Sequence, residues 1–315
     1  MSKSTLLLVD DEERILRSLK MLFLAKYRVL STTDGNEALE ILKKETVHVI
    51  ISDQRMPIML GVDLLRQAKE IAPNTMRLLL TGYSDLQAIV GSVNEGEIFR
   101  YINKPWQTEE LKATVDKAVE IALKLEQLHQ AKTTDTVAIM PTPVLGQAPH
   151  VMVIDNDEAI YKEIHTLLSA TNPTHWATSL DEAFNILNNK PIGVVISEIE
   201  LNGEDITASI KTLKQCNPNI LTVVLTSFQD TKALIGLINH GQVYRFLPKP
   251  IHKSLLARSL EATLKHYQVL HLKPQLLMRH AVEPTKTEEQ QSLSSRVLGF
   301  IRKLRNRPAQ QPTIN

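Results

Sequence analysis

Cysteine is nearly missing from this chain. Cys216 is the single one in 315 residues, so no internal disulfide forms and Cys–Cys metal spacings do not arise. Aromatic residues make up only 4%, so any core has to be mainly aliphatic. Neither sign of charge dominates: Lys and Arg number 36, Asp and Glu 35, and the formal net charge is +1. That balance gives no global reason to expect affinity for nucleic acid or membranes. Long apolar runs are missing too. The opening stretch MSKSTLLLVDDEE meets acids after four apolar residues, too short for a signal peptide or for a span of about 20 residues. These absences predict a cytoplasmic protein. Hydrophobic content of 43% against 23% charged predicts folded globular domains, and the length suits two.

What is present is a repeat. Asp155 follows Asp10 by 145 residues, and the same offset relates Glu198 to Asp53, Thr226 to Thr81 and Lys249 to Lys104. Between these anchors APNTMRLLLTGYSD aligns with NPNILTVVLTSFQD, and GEIFRYINKPW with GQVYRFLPKPI. A constant, domain-sized shift without insertion marks duplication rather than a short-repeat array. In the first copy, residues 6–10, 27–32, 47–52, 77–81 and 98–103 read as short aliphatic strands. Residues 12–25, 36–44, 62–71, 85–95 and 108 onward carry helical patterns between them. Alternation of this kind predicts an α/β domain, a doubly wound parallel sheet covered on both faces. Such sheets place their ligand site at the carboxyl ends of the strands. Asp10, Asp53, Thr81 and Lys104 all fall at those ends.

The chemistry follows from the residue types. Asp10, Asp11 and Asp53 would put three carboxylates together, and like charges that close resist joint ionisation unless a cation is present. A hard ion such as Mg²⁺ takes oxygen ligands and keeps room for a phosphate. Lys104 can pair with a carboxylate or a phosphoryl oxygen, and the Thr81 hydroxyl can donate to the same oxygens. The set suits carboxylate phosphorylation with Asp53 as nucleophile. Each residue alone has a plainer reading: helix cap for Asp11, turn residue for Asp53, strand-end hydrogen bond for Thr81, solvated side chain for Lys104.

The motifs VDDE (9–12), Asp53 with MP (56–57), LLTG (79–82) and KP (104–105) resemble the receiver domain of two-component response regulators. That resemblance implies a flavodoxin-like (βα)5 fold with strand order 2-1-3-4-5 in each copy, and a cis Lys104–Pro105 bond. It implies Mg²⁺ held by Asp10, Asp11 and Asp53, and phosphoryl transfer to Asp53 from a histidine kinase or phosphotransfer protein. Thr81 and Lys104 would contact the phosphoryl group. Tyr101, three residues before Lys104, would be the switch residue; half-buried packing is its other reading. Arg55 and Tyr83 would flank the site and limit access of water, which favours signalling over a phosphoryl sink.

The second copy keeps Asp155, Thr226, Lys249 and Pro250 but has Asn156 for Asp11 and Glu198 for Asp53. The amide removes a charge from the metal position, and glutamate is one methylene too long. A misplacement of about 1 Å costs on the order of a hundredfold in rate. Residues 150–272 are therefore expected to be a pseudo-receiver, folded but not phosphorylated. Glu198 paired with Lys249 could mimic a signalling state; the platform role is the reading carried forward.

Residues 1–130 would form the first receiver and 131–149, rich in Pro and Thr, a linker. The last helix before it carries a stripe of Leu111, Val115, Ala118, Ala122, Leu125 and Leu128, for packing on its own sheet or for a coiled-coil contact, including a homodimer. Residues 273–315 would be a flexible tail. Within it, 294–307 reads as a basic amphipathic helix, open to a membrane surface, a partner's groove or its own domain. Signatures of cyclase, phosphodiesterase, kinase or DNA-reading modules do not occur, and ten histidines show no phosphorylation-box context. The expectation is a regulator without a fused output domain, not an enzyme acting on external substrates. It would signal through a separate effector protein, with a phosphoryl sink as the alternative and no direct nucleic-acid contact. GEIFRYINKPW is also similar to receivers that accompany cyclic-di-GMP phosphodiesterases or hybrid kinases, which makes an adaptor for such a protein a further alternative.

Overall fold

The computed structural model describes residues 3–82, 98–134, 148–227, 237–239, 243–273 and 276–277. They divide into two compact units. The first draws on the described residues of 1–144, 229–246 and 273–280, the second on those of 145–228 and 247–272.

The first sheet contains β1 (Thr5–Val9), β2 (Arg28–Thr32), β3 (Val49–Asp53), β4 (Met76–Thr81) and β5 (Arg100–Asn103). Its order is β2-β1-β3-β4-β5 and every ladder is parallel. Runs such as VIISD are buried at every position, because helices cover both faces of a parallel sheet. The helices are α1 (Glu13–Phe23), α2 (Gly35–Lys44), α3 (Gly61–Ile71) and α4 (Thr108–Thr134). Asp34 caps α2, its carboxylate accepting from the Asn36 N–H at 2.7 Å, as short acids do at helix starts. The helix expected at 85–95 lies outside the described residues.

The 27-residue α4 runs to Thr134, four residues into the stretch read from sequence as linker. Its apolar stripe is committed to its own domain as far as Leu125: Leu111, Val115, Ala118, Ala122 and Leu125 are all buried in the core with Leu6, Leu8, Ile51 and Leu80. The side chain of Leu128, residues 135–147 and the basic segment 294–307 lie outside the described residues.

The second copy repeats the plan with β6 (His150–Ile154), α5 (Glu158–Leu168), β7 (Thr174–Ala177), α6 (Leu180–Asn189) and β8 (Ile192–Ser197). A small hairpin, β9 (Glu200–Leu201) with β10 (Glu204–Asp205), precedes α7 (Thr207–Cys216), β11 (Leu221–Thr226), β12 (Arg245–Pro248) and α8 (Lys253–Leu272). The sheet order β12-β11-β8-β6-β7 is the first order read from the other edge. Two doubly wound sheets of flavodoxin-like order are thus present. No described helix is long and apolar enough to cross a membrane.

The hairpin was not anticipated in the sequence reading. Asn202 at φ 55° and Gly203 at φ 79° form its turn. Both lie in the left-handed region that a two-residue hairpin demands and that Asn and Gly tolerate.

Candidate functional site

In the first unit, β1 ends at Val9 and delivers Asp10, β3 ends in Asp53 itself, β4 ends in Thr81, and β5 leads into Lys104. The strands are parallel, so these residues collect at one edge. Lys104 Nζ donates to Asp10 Oδ2 at 2.9 Å and pairs with Asp53 Oδ1 at 2.5 Å. The remaining oxygens are engaged as well. Asp10 Oδ1 accepts from the Glu12 N–H at 2.9 Å, and Asp53 Oδ2 from the Arg55 N–H at 2.7 Å. Lys104–Pro105 is cis, and so is Lys249–Pro250.

Burial and charge set the electrostatics. Asp10 is 1% exposed, and burial pushes its carboxyl above the usual range, further than Lys104 and the Glu12 amide pull it down. For Lys104 burial favours the neutral amine, but hydrogen bonds to Asp53 and Asp10, with their charges, outweigh it and raise the pKa. Asp11 follows Asp10 in the chain and is exposed. Thr81 is fully buried, its hydroxyl donating to the Gly82 carbonyl at 3.2 Å rather than into the acidic pair. Arg55 is exposed; Tyr83 lies outside the described residues.

The donor set is all oxygen, which suits Mg²⁺. Among the described residues no three acids are drawn together as a ready metal cluster. The Lys104 ammonium pairs with both Asp10 and Asp53.

Gly61 fixes how close α3 comes to this edge. A Cβ there would lie 2.0 Å from the Asp53 carbonyl oxygen, so only glycine fits while the Gly61 N–H bonds to Gln54 O at 3.0 Å. Sequence reasoning missed this residue, although its place eight positions after Asp53 was visible.

The second unit reproduces the lysine bridge. Lys249 Nζ donates to Asp155 Oδ2 at 2.8 Å and pairs with Glu198 Oε2 at 2.6 Å, and these two acids raise its pKa against burial, which lowers it. Three details differ. Glu198 Oε1 accepts from the next residue, the Ile199 N–H, at 2.9 Å, where Asp53 reaches two residues on. The side chain of Asn156 hydrogen-bonds that of Asn202 at the hairpin tip, 2.9 Å, so the position answering to Asp11 is tied to the turn. Ile206, buried at 2% exposure, stands where the first copy has Gly61, with the same backbone bond, Ile206 N–H to Ile199 O at 2.9 Å. Thr226 is buried at the end of β11. Trp176 donates its indole N–H to the Asp155 carbonyl at 2.8 Å.

Tyr101 lies on β5, 1% exposed. Its backbone N–H donates to Asn239 Oδ1 and its carbonyl accepts from Asn239 Nδ2, both at 2.7 Å. Both residues belong to the first unit.

The family model described as "Response regulator receiver domain" matches residues 6–116 and 151–261, well over half the chain. The hydrogenase transcriptional regulatory protein HoxA of Cupriavidus necator is 37% identical over 145 residues, 46% of this chain and 30% of that protein. The DNA-binding transcriptional regulator NtrC of Klebsiella pneumoniae is 36% identical over 115 residues, 36% of this chain and 24% of that protein. The chain thus spans about a third or less of the curated relatives it matches. Among solved structures, the signal receiver domain of an HD domain-containing protein from Pseudomonas fluorescens Pf-5 is 36% identical, covering 40% of this chain and 94% of that one, with a TM-score of 0.39.

Proposed function

The chain belongs to the response regulator receiver family in both of its repeats, and on that premise we propose that the first copy alone accepts a phosphoryl group, on Asp53. The observation that carries this is a difference between two otherwise alike pockets: Lys104 lies 2.9 Å from Asp10 and 2.5 Å from the short acid Asp53 with Asp11 exposed next in the chain, whereas the second copy presents the longer Glu198 and ties Asn156 to Asn202. A cation held that way fixes where the Asp53 carboxylate points. In the transfer, an Asp53 oxygen forms a P–O bond while the P–N bond of a phosphohistidine donor breaks. The imidazole nitrogen keeps the bonding pair and takes a proton from solvent. Lys104 then exchanges a carboxylate partner for a phosphoryl oxygen, and Thr81 turns its hydroxyl from the Gly82 carbonyl toward the same group.

Asp10, Asp11 and Asp53 would hold Mg²⁺. When bound, the ion supplies positive charge for the phosphoryl oxygens. The fit rests on Asp10, whose burial raises its pKa and which therefore gains from a second cation. The donor is a histidine kinase or phosphotransfer protein, and the setting is accordingly the cytoplasm. The output is a phosphorylation-dependent contact with a separate protein, so the chain carries a signal and turns over no external substrate.

The second copy is a pseudo-receiver. Glu198 reaches Lys249 with a side chain one methylene longer than Asp53, and the Asn156–Asn202 bond ties up the position that answers to Asp11. Intact-mass and peptide mapping after treatment with acetyl phosphate and Mg²⁺ tests both statements. The expected result is one phosphoryl group per chain, on the Asp53 peptide, and none in Asp53→Asn. Labelling within the second copy, or none anywhere, would sink the reading.

A further inference from the structure

β5 is an edge strand, with Tyr101 paired to Leu79 of β4 on one side only. The N–H and C=O of an edge residue that face away from the sheet invite pairing with another strand. Here they do not face open space. One carboxamide, that of Asn239, satisfies both groups at 2.7 Å each. A primary amide offers a donor and an acceptor side by side, and so matches the single extended residue it faces. Asn239 lies 138 positions further along the chain, in a helical stretch at 237–239 whose Leu237 and Ile238 are 1% and 5% exposed. A second piece of later sequence behaves alike: Leu276 packs against the core cluster of the first unit.

We infer that the stretch carrying Asn239 is a built-in ligand for the open edge of β5, supplied by the second repeat to the first receiver. The edge is then closed to strand addition from any other chain, and a partner that reads β5 has to displace Asn239. Tyr101 sits on β5, which leads into Lys104 three residues further on. Whatever moves Lys104 therefore changes the geometry Asn239 grips, and by linkage the grip biases the site in return. The edge contact itself does not depend on phosphoryl chemistry at Asp53.

Amide hydrogen exchange of the full chain tests this. In the wild type the Tyr101 amide should be protected, and the protection should persist on dilution, because donor and acceptor share one chain. Asn239→Ala should speed its exchange about tenfold, the loss of one hydrogen bond, while the Leu7 amide in β1 keeps its rate. Asn239→Asp retains an acceptor and should keep the Tyr101 amide slow. A wild-type Tyr101 amide that exchanges freely, equal rates in wild type and Asn239→Ala, or protection lost on dilution would overturn the proposal. Acetyl phosphate labelling of the same samples separates the two readings, since it fails only if the acceptor role of Asp53 is wrong.

Discussion

Lys104 and Lys249 hold equivalent places in two pockets, and each bridges the acids that close its own. What surrounds them differs. In the first pocket the nucleophile position carries a short acid, the neighbouring Asp11 is exposed, and Gly61 lets α3 approach to a distance no side chain would allow. In the second, a longer acid reaches the equivalent lysine, Lys249, and Asn156 is tied down by Asn202. An isoleucine replaces the glycine. A lysine bridge is therefore common to both copies and does not distinguish them.

The sharpest way to break this comparison is to convert one pocket into the other. The double substitution Asn156→Asp with Glu198→Asp restores the acids of the first copy. If side-chain length and charge are the whole difference, acetyl phosphate labelling of the second copy should rise about a hundredfold over background. Labelling that appears only when Asn202 is also replaced by Pro, its counterpart being Pro57, would assign the block to the hairpin instead.

Removing each lysine gives a smaller, opposite test. Lys104→Ala leaves Asp10 and Asp53 facing each other without their shared cation. Loss of one partner from a fully buried pair costs about 3–5 kcal/mol; the lysine side chain is 25% exposed, so about 2 kcal/mol is expected after screening. Millimolar Mg²⁺ should restore most of that in Lys104→Ala. It should restore little in Lys249→Ala, where an amide stands at the metal position. Denaturant midpoints with and without Mg²⁺ measure both, and equal rescue would erase the distinction between the pockets.

The mildest effect is on pH. Burial raises the Asp10 pKa, so its proton begins to compete with a metal above the ordinary carboxylate range. Mg²⁺ affinity of the first pocket should weaken as pH falls, with its onset above pH about 4. The sign for stability is different. A raised acid pKa means the folded chain holds this proton more tightly than the unfolded one, so acidification through that window favours the metal-free fold at this residue. For Lys104, also raised, the contribution is complete below pH about 10 and fades as pH climbs through the folded value. Calorimetric Mg²⁺ titrations across this range check the first sign, and metal-free melting curves the other two.

Much of the molecule was legible before any coordinates. The five strand segments of the first copy came out within about two residues, because aliphatic runs ending in Asp10, Asp53 and Thr81 have one comfortable place in a parallel sheet. The strand-end rule then gathered Asp10, Asp53 and Lys104 without knowledge of distances. Asn202–Gly203 was an open hairpin signal in the sequence, left unread beside the stronger signal of the repeat. Gly61 looked like any helix-starting residue until the Asp53 carbonyl was seen beneath it.

Sequence alone determined the duplication, the two doubly wound sheets and the identity of the acids and lysines at their strand ends, since burial pattern and chain order act locally. Tertiary structure decided the rest: that one ammonium spans two carboxylates, that a hairpin tip holds Asn156, and that Asn239 closes the β5 edge. Each of these joins residues tens to more than a hundred positions apart. Such contacts follow from packing, which no local pattern encodes.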